Sequence, residues 1–178
     1  MRLRAYRPIV AALLCTFALA ACAKVAPPPA PPPPGPPAPL AVNYLLVDKS
    51  DRMLWAFANG KVVRSYSGLQ FGDAMFGHKQ YEGDERTPEG RYTIDTRNPN
   101  SSYFLSLRVS YPNAYDRAYA EARGMDPGGD IFLHGQPNGM PVGRMAGDWT
   151  DGCIAFTNAE IEELYALVAD GTVIDIRP

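Results

Sequence analysis

Ten prolines lie between Pro27 and Pro39, and this thirteen-residue window is the feature that most constrains how the chain folds. Proline fixes φ and removes the backbone donor, so the segment cannot build a packed core and stays extended as polyproline II. At about 3.1 Å per residue it reaches roughly 40 Å. The sequence therefore predicts a spacer over residues 22–40 and one globular domain over residues 41–178, without internal repeats.

The segment before the spacer has the features of a secretion signal. Arg2, Arg4 and Arg7 precede an almost wholly apolar run over residues 9–21. This run is shorter than the roughly 20 residues that a membrane-spanning helix needs. Residues 1–21 are therefore interpreted as a cleavable signal peptide.

The signal ends in Leu19-Ala20-Ala21-Cys22, which resembles a bacterial lipobox. The resemblance implies cleavage before Cys22, a diacylglycerol on its sulfur and a periplasmic protein held to a membrane by this lipid anchor. An ordinary signal peptidase site in front of a cysteine is the alternative. Ala23 stands where an aspartate would retain a lipoprotein in the inner membrane, so sorting to the outer membrane is expected.

Net charge argues against one class of partner. The chain carries 17 Lys and Arg against 19 Asp and Glu, a net charge of −2. Cleavage after residue 21 removes three arginines and leaves −5, without a basic cluster. Nucleic acid is therefore not expected as a partner, because phosphate neutralisation by basic residues dominates that affinity.

Hydrophobic alternation and turn signals predict a mainly β domain with two helices. Asn59-Gly60 separates strands over 53–58 and 61–66 and is a strong hairpin signal. Residues 72–89 are rich in glycine and charge and predict a long functional loop. Further strands are predicted over 44–47, 90–96, 103–110, 130–133, 154–156 and 173–176.

One helix is predicted over 113–123 and a second one after Thr157. Thr157 and Glu160 fit a capping box, and Gly171 is expected to end this second helix. Ile161, Leu164, Tyr165 and Val168 then share one apolar face. The predicted core comprises Leu45, Val47, Leu54, Val63, Tyr92, Ile94, Leu105, Ile131, Leu133, Ile154, Phe156, Ile161, Leu164 and Ile174.

The cysteine count draws attention to Cys153. Of the three cysteines, Cys15 lies in the signal and Cys22 at the lipidation site, so the processed chain keeps one free thiol. Such a thiol is either an apolar filler or a reactive group. Gly152 lets the backbone turn sharply before Cys153, and the amides of these two residues then face a developing oxyanion.

An imidazole can convert such a thiol to the thiolate that attacks. His134 is one of two histidines in the chain, and it follows the predicted strand over 130–133. That position suits a side chain that projects into a cleft. The residues favour Cys153 as nucleophile and His134 as base, with a purely structural histidine as the alternative.

The stretch from His134 to Asn158 resembles the L,D-transpeptidase catalytic domain (YkuD) family. The family pattern is a histidine, a gap, and then Ser/Thr-His-Gly-Cys with a hydrophobic residue. His134 stands nineteen positions before the cysteine of Thr150-Asp151-Gly152-Cys153-Ile154. Upstream, Thr87-Pro88-Glu89-Gly90-Arg91-Tyr92 resembles the family's TPxGxY segment. The resemblance covers most of residues 41–178 and implies a YkuD-type β-sandwich with a capping C-terminal helix.

Two positions depart from the family pattern. Asp151 stands where many members have a second histidine, and Ala155 where many have Arg or Asn. With Asp148-Trp149 ahead of it, the Thr-Asp-Gly-Cys sequence resembles the YafK-like branch. An acidic neighbour by itself opposes thiolate formation. Asp151 is therefore expected to pair with a base or with a positive group of the substrate.

The family resemblance implies acyl transfer on peptidoglycan stem peptides through a thioacyl-enzyme on Cys153, without a cofactor. The branch resemblance implies an alternative, in which a hydrolase of the same fold releases a wall-linked lipoprotein or a stem-peptide residue from meso-diaminopimelate. A non-catalytic lipoprotein that binds the cell wall is the remaining alternative. The resemblance also implies that the carbonyl of Gly135, which replaces a Ser or Thr of other members, orients His134.

Four further residues are candidates for the cleft, and three of them also have a simpler structural interpretation. Arg144 suits a substrate carboxylate because of its guanidinium fork, or lies on the surface. Asp148 and Trp149 shape the cleft, or Trp149 only packs. His78 contacts the substrate, or is a solvated loop residue.

The sequence argues against a metal site. His78, Asp84 and His134 are conceivable zinc ligands, but the processed chain offers two histidines and one cysteine without the tight spacing of zinc sites. The sequence therefore predicts neither a metal nor a cofactor.

Overall fold

The computed structural model describes residues 41–140 and 142–178. The predictions on residues 1–40, which are the signal peptide, Cys22 and the proline spacer, lie outside the described residues. Within the described part, no helix is long and apolar enough to cross a membrane. The elements are β1 Val42–Asp48, β2 Met53–Ala58, β3 Lys61–Ser67, β4 Gly90–Ser101, β5 Phe104–Val109, α1 Ala114–Glu121, β6 Phe132–His134, β7 Ile154–Ala155, α2 Asn158–Leu167 and β8 Val168–Arg177.

The strands form one eight-stranded sheet in the order β3-β2-β1-β8-β4-β5-β6-β7. Strand β4 joins its two halves, because Gly90–Thr93 pair with β8 and Ile94–Ser101 pair with β5. The sheet curls, so the two layers of the expected sandwich belong to one continuous sheet. The prediction of a mainly β fold with two helices is confirmed for the described residues.

The β2–β3 hairpin has the turn that the sequence predicts, and β3 runs one residue beyond the predicted strand, to Ser67. Asn59 and Gly60 both have positive φ, +52° and +76°, as a two-residue turn of type I′ requires. Of the fourteen predicted core residues, all are buried except Val63 and Leu105, which are half-buried against the core. The alternating strands thus bury one face each, as the period of two predicts.

Helix α2 begins as predicted but ends early. Thr157 and Glu160 form the capping box, each side chain bonded to the other's backbone amide. The prediction that Gly171 ends the helix is wrong. Val168 already has extended backbone, with φ −102° and ψ 127°, and pairs with Val42 at the start of β1. Pairing with β1 therefore outweighs one further helical turn.

Candidate active site

Two neighbouring parallel strands position Cys153 and His134. β6 pairs with β7 in the register Leu133–Ile154 and His134–Ala155. Cys153 directly precedes β7, and His134 ends β6. Ala155 pairs with His134, and Cys153 lies two residues before Ala155, so the alternation of side chains brings Cys153 and His134 to one side of the sheet.

Two backbone groups contact the thiol of Cys153. Its Sγ lies 3.4 Å from the amide nitrogen of Phe132, which donates to it, and 3.5 Å from the carbonyl oxygen of Asp130, to which the thiol donates. Burial raises the pKa of Cys153 to about 11, and Asp151 and Asp130 add to the rise. These contacts engage the thiol in place of a hydrogen bond to His134.

His134 is buried, and its tautomer is defined by one contact. Nδ1 lies 2.7 Å from the carbonyl oxygen of Gly135. A carbonyl only accepts, so Nδ1 carries the proton of the neutral ring and Nε2 is left as the acceptor. Burial lowers the pKa of His134, and the Gly135 contact offsets part of that effect. A neutral ring with a free Nε2 is the form that a general base needs.

Two aromatic rings hold the imidazole in place. The ring centroid of Tyr103 is 4.6 Å from that of His134, and the ring of Trp149 is 5.5 Å away at a steep angle. Tyr103 and Trp149 also contact each other, at 5.6 Å. Trp149 thus contacts the imidazole and also lines one of the cavities at this site. Tyr103 was missed by the sequence analysis.

Arg86 and Thr87 pack against the backbone turn that precedes the nucleophile. Gly152 has φ +117°, and a Cβ there would lie 2.5 Å from the carbonyl oxygen of Arg86. Only glycine fits this position. Thr87 Oγ1 donates to the carbonyl of Gly152 at 2.9 Å, and Thr150 Oγ1 donates to the carbonyl of Cys153 at 2.8 Å. The TPxGxY segment and the Cys153 turn thus form one packed unit.

The thiol and the imidazole border two cavities. The larger one has a volume of about 430 Å³, and both Asp151 and Trp149 line it. The smaller one, of about 290 Å³, lies along β4, β5 and β6 and is lined by Ser101, Ser106 and Phe132 among others. Cys153, His134, Tyr103 and Asp130 line both cavities. Two routes therefore reach the same pair of groups.

Acidic side chains outnumber basic ones around the larger cavity. Glu82, Asp130 and Asp151 line it, and all three are exposed. Lys79 is the basic residue among its lining residues, and it is buried in an ion pair with Asp84 at 2.9 Å. The lining therefore carries an excess of negative charge.

Arg144, Asp148 and His78 are held by polar contacts outside this lining. Arg144 pairs with Glu160, and Asp148 binds Arg52 through both carboxylate oxygens. His78 Nδ1 accepts the amide of Glu89, while Nε2 lies 3.1 Å from Asp116. Arg144 is thus held at Glu160 and lines neither cavity at Cys153. His78 is half-buried, lines neither cavity at Cys153 and links the long loop to α1.

Gly135 has a steric reason to be glycine. A Cβ at this position would lie 2.6 Å from Oδ1 of Asn158 and 3.0 Å from the carbonyl oxygen of Tyr103. Oδ1 of Asn158 is held there because it accepts the amide of Gln136. The departure from Ser or Thr therefore follows from the approach of α2 to the end of β6.

A buried amide network that the sequence analysis missed supports the segment between His134 and Cys153. Gln136 Nε2 donates to Oε1 of Gln70 and to the carbonyl of Phe156. Gln70 Nε2 donates to the carbonyl of Met145, and its Oε1 accepts from Trp149. Neither glutamine has a local signal in the sequence, because their partners lie far along the chain.

No three metal-binding side chains converge in the part of the chain that the structure describes. Of the conceivable zinc ligands, His78 and Asp84 belong to separate pairs, with Asp116 and Lys79 respectively. Within the described residues, the site therefore combines a thiol, an imidazole and two aromatic rings with backbone groups and the charged side chains of the cavity lining.

The family of this chain follows from its sequence. A family model of the L,D-transpeptidase catalytic domain (YkuD) matches residues 42–176. The span contains Cys153, His134 and the TPxGxY segment. The chain therefore belongs to the L,D-transpeptidase catalytic domain (YkuD) family, as the residues around Cys153 predict.

The predicted likeness to YafK is confirmed as well. YafK of Escherichia coli (strain K12), to which L,D-transpeptidase activity is provisionally assigned, is 27% identical to this chain over 136 residues. The match covers 73% of this chain and 48% of YafK.

Solved structures support the fold. The helical cell shape determining protein Pgp2 from Campylobacter jejuni has a TM-score of 0.60 at 28% identity, over 76% of this chain and 47% of Pgp2. Bd1075 from Bdellovibrio bacteriovorus has a TM-score of 0.54 at 28% identity, over 77% of this chain and 48% of Bd1075. The chain therefore spans about half the length of these relatives and of YafK.

Proposed function

We propose that this chain is a cysteine-dependent acyltransferase that acts on peptidoglycan stem peptides, with Cys153 as nucleophile and His134 as base. One observation carries the proposal: the thiol and an imidazole whose Nε2 has no hydrogen-bond partner among the described residues border the same cavities. Membership of the L,D-transpeptidase family supports the substrate class.

The raised pKa of the thiol and the lowered pKa of the imidazole determine the protonation states from which acylation starts. At neutral pH both groups are uncharged, so a preformed thiolate–imidazolium pair is not the resting state. Rotation about χ1 of Cys153 moves Sγ from Phe132 and Asp130 towards His134. Nε2 then takes the thiol proton as Sγ attacks the carbonyl carbon of the substrate.

The second half of acylation uses the same groups. The carbonyl oxygen of the substrate becomes an oxyanion, which the amide of Cys153 stabilises together with that of Gly152. The Cys153 amide has no hydrogen-bond acceptor within the described residues, while the Gly152 amide makes a long contact of 3.4 Å to Thr150 Oγ1. When the tetrahedral intermediate collapses, the protonated His134 gives its proton to the leaving amine, and a thioacyl-enzyme remains.

The two cavities at Cys153 suit a reaction with two substrates. An acyl donor in one cavity leaves the other open for the nucleophile that resolves the thioacyl-enzyme. If that nucleophile is the amine of a second stem peptide, the reaction is transpeptidation. If it is water, the chain is a hydrolase.

The charge around the larger cavity favours hydrolysis as a second candidate function. Glu82, Asp130 and Asp151 stabilise the protonated form of an entering amine, which is not nucleophilic. Water is a neutral nucleophile, so the acidic lining does not inactivate it by protonation. The chain then releases a stem-peptide residue or a wall-linked lipoprotein from meso-diaminopimelate, with the same nucleophile and base.

Incubation with purified sacculi tests both candidate reactions, transpeptidation and hydrolysis. Wild-type protein should change the muropeptide profile, and Cys153→Ala should not. Newly cross-linked muropeptides indicate transpeptidation, whereas released peptide or protein without new cross-links indicates hydrolysis. An unchanged profile with folded wild-type protein would favour the non-catalytic wall-binding alternative.

We also propose that Cys22 carries a lipid that anchors the domain to the outer membrane on the periplasmic side. The lipobox-like sequence before Cys22 and the proline window after it support this proposal. Labelling with a radioactive or alkyne fatty acid should mark the wild-type protein and not Cys22→Ser. Label retained in that variant contradicts the proposal.

A further inference from the structure

Thr87 is a fully buried side chain directly behind the nucleophile turn. Its Oγ1 donates to the carbonyl oxygen of Gly152 at 2.9 Å, although the two residues are 65 positions apart. Gly152 is also fixed from this side, since a Cβ there would meet the carbonyl oxygen of Arg86 at 2.5 Å. The position of the Gly152 carbonyl is therefore set by Arg86 and Thr87.

This contact also sets the direction of the Cys153 amide. The peptide between Gly152 and Cys153 is trans, because the cis bond of the described chain is Tyr111–Pro112. In a planar trans peptide the C=O and the N–H point in opposite directions. With the carbonyl directed at Thr87, the N–H of Cys153 points to the other side, where it has no acceptor among the described residues.

The next peptide is held in the same way. Thr150 Oγ1 donates to the carbonyl of Cys153 at 2.8 Å, so the backbone on both sides of the nucleophile is fixed by a threonine hydroxyl. A hydrogen bond to the Gly152 carbonyl also polarises the peptide and makes its N–H a stronger donor.

We propose that Thr87 is a positioning residue that orients the Cys153 amide towards the substrate oxyanion. The inference rests on the proposed function, because it concerns the oxyanion of the acylation step. Thr87 does not touch the reacting atoms. A purely structural role would affect folding or every reaction of the thiol, whereas a positioning role affects only reactions that form an oxyanion.

Two chemical probes of Cys153 separate these roles. A carbapenem acylates a thiol through a tetrahedral oxyanion, whereas iodoacetamide alkylates it by direct displacement and forms none. The rates of both reactions are measured by intact-mass spectrometry on the full chain for wild type, Thr87→Val and Thr87→Ser. Thr172→Val is the matched control, because Thr172 is also buried and its Oγ1 also donates to a backbone carbonyl, that of Val42 in the sheet.

Thr87→Val should slow carbapenem acylation by about tenfold or more, since loss of one oxyanion donor costs about 10²–10³ in rate and a misdirected donor costs part of that. Its alkylation by iodoacetamide should stay within about twofold of wild type. Thr87→Ser keeps the hydroxyl and should acylate close to the wild-type rate. Thr172→Val should leave both rates unchanged.

Equal acylation by Thr87→Val and wild type would overturn the inference, and so would equal losses in both reactions. If Thr87→Val does not fold, Thr87→Ala and Thr87→Ser form the comparison, because both lack the methyl group and only one keeps the hydroxyl. Acylation of Thr87→Ala at the rate of Thr87→Ser then contradicts the inference. A wild-type protein that alkylates but never acylates would instead contradict the proposed function.

Discussion

Nδ1 of His134 lies 2.7 Å from the carbonyl oxygen of Gly135, the next residue in the chain. The contact places the ring proton on Nδ1 and leaves Nε2 to accept a proton. Because this partner is a backbone group, the chain needs no separate carboxylate to orient its imidazole. The aromatic contacts of Tyr103 and Trp149 then fix the plane of the ring.

The thiol of Cys153 should alkylate slowly at neutral pH and gain reactivity far into the alkaline range. Burial raises its pKa to about 11, so the thiolate fraction at pH 8 is about a hundredfold below that of a thiol with pKa 9. The rate of iodoacetamide alkylation is followed from pH 6 to pH 11, with free cysteine as the control. A plateau near pH 7 would show a preformed thiolate–imidazolium pair and contradict this account.

Tyr103→Ala should lower kcat by about tenfold, because the loss of the tilted ring whose centroid lies 4.6 Å away frees His134 to leave the orientation that accepts the thiol proton. Tyr103→Phe keeps the ring and should retain most of the activity. Turnover of muropeptides is the measurement for both variants. If Tyr103→Phe loses as much activity as Tyr103→Ala, the hydroxyl and not the ring contact is what the reaction needs, which would contradict this prediction.

Gly135→Ser should destabilise the fold by about 2 kcal/mol, because the new Cβ meets Oδ1 of Asn158 at 2.6 Å. The free energy of unfolding in urea measures the loss. In an Asn158→Ala background the same change should cost clearly less, since the clashing oxygen is gone. Equal costs in both backgrounds would show that the clash with Asn158 is not the reason for glycine.

Much of the fold was predictable from local sequence. The Asn59-Gly60 turn and the Thr157–Glu160 capping box are encoded by residues a few positions apart, and both appear as expected. The end of α2 was not predictable, because Val168 leaves the helix to pair with Val42, far away in sequence.

Only part of the candidate site could be predicted from the sequence. Cys153, Gly152 and His134 stand out because their residue types and spacing are unusual. Tyr103 and Thr87 do not, since their contacts with His134 and Gly152 depend on the folded sheet. For the same reason the sequence did not reveal that Arg144 is paired with Glu160.

Asp148→Asn should lower the free energy of unfolding by about 1–2 kcal/mol at pH 7, because the bidentate pair with Arg52 is lost. Hydrogen bonds from Arg52 lower the pKa of Asp148 in the folded state. The stabilisation is thus fully present above the unfolded pKa of about 3.9 and is lost as the pH falls through the lower folded value.

The difference in stability between wild type and Asp148→Asn should therefore be constant from pH 5 to pH 7 and should shrink below about pH 4. Urea unfolding at each pH measures it. A difference that grows on acidification would contradict the assigned role of the ion pair.

The most direct test of the central claim is mass spectrometry of the protein during reaction with a purified stem-peptide muropeptide. A covalent adduct with the mass of the acyl donor should appear on the peptide that contains Cys153. It should be absent from Cys153→Ala and form much more slowly in His134→Gln, whose side chain cannot act as a base. Product formation that persists in Cys153→Ala would contradict the claim.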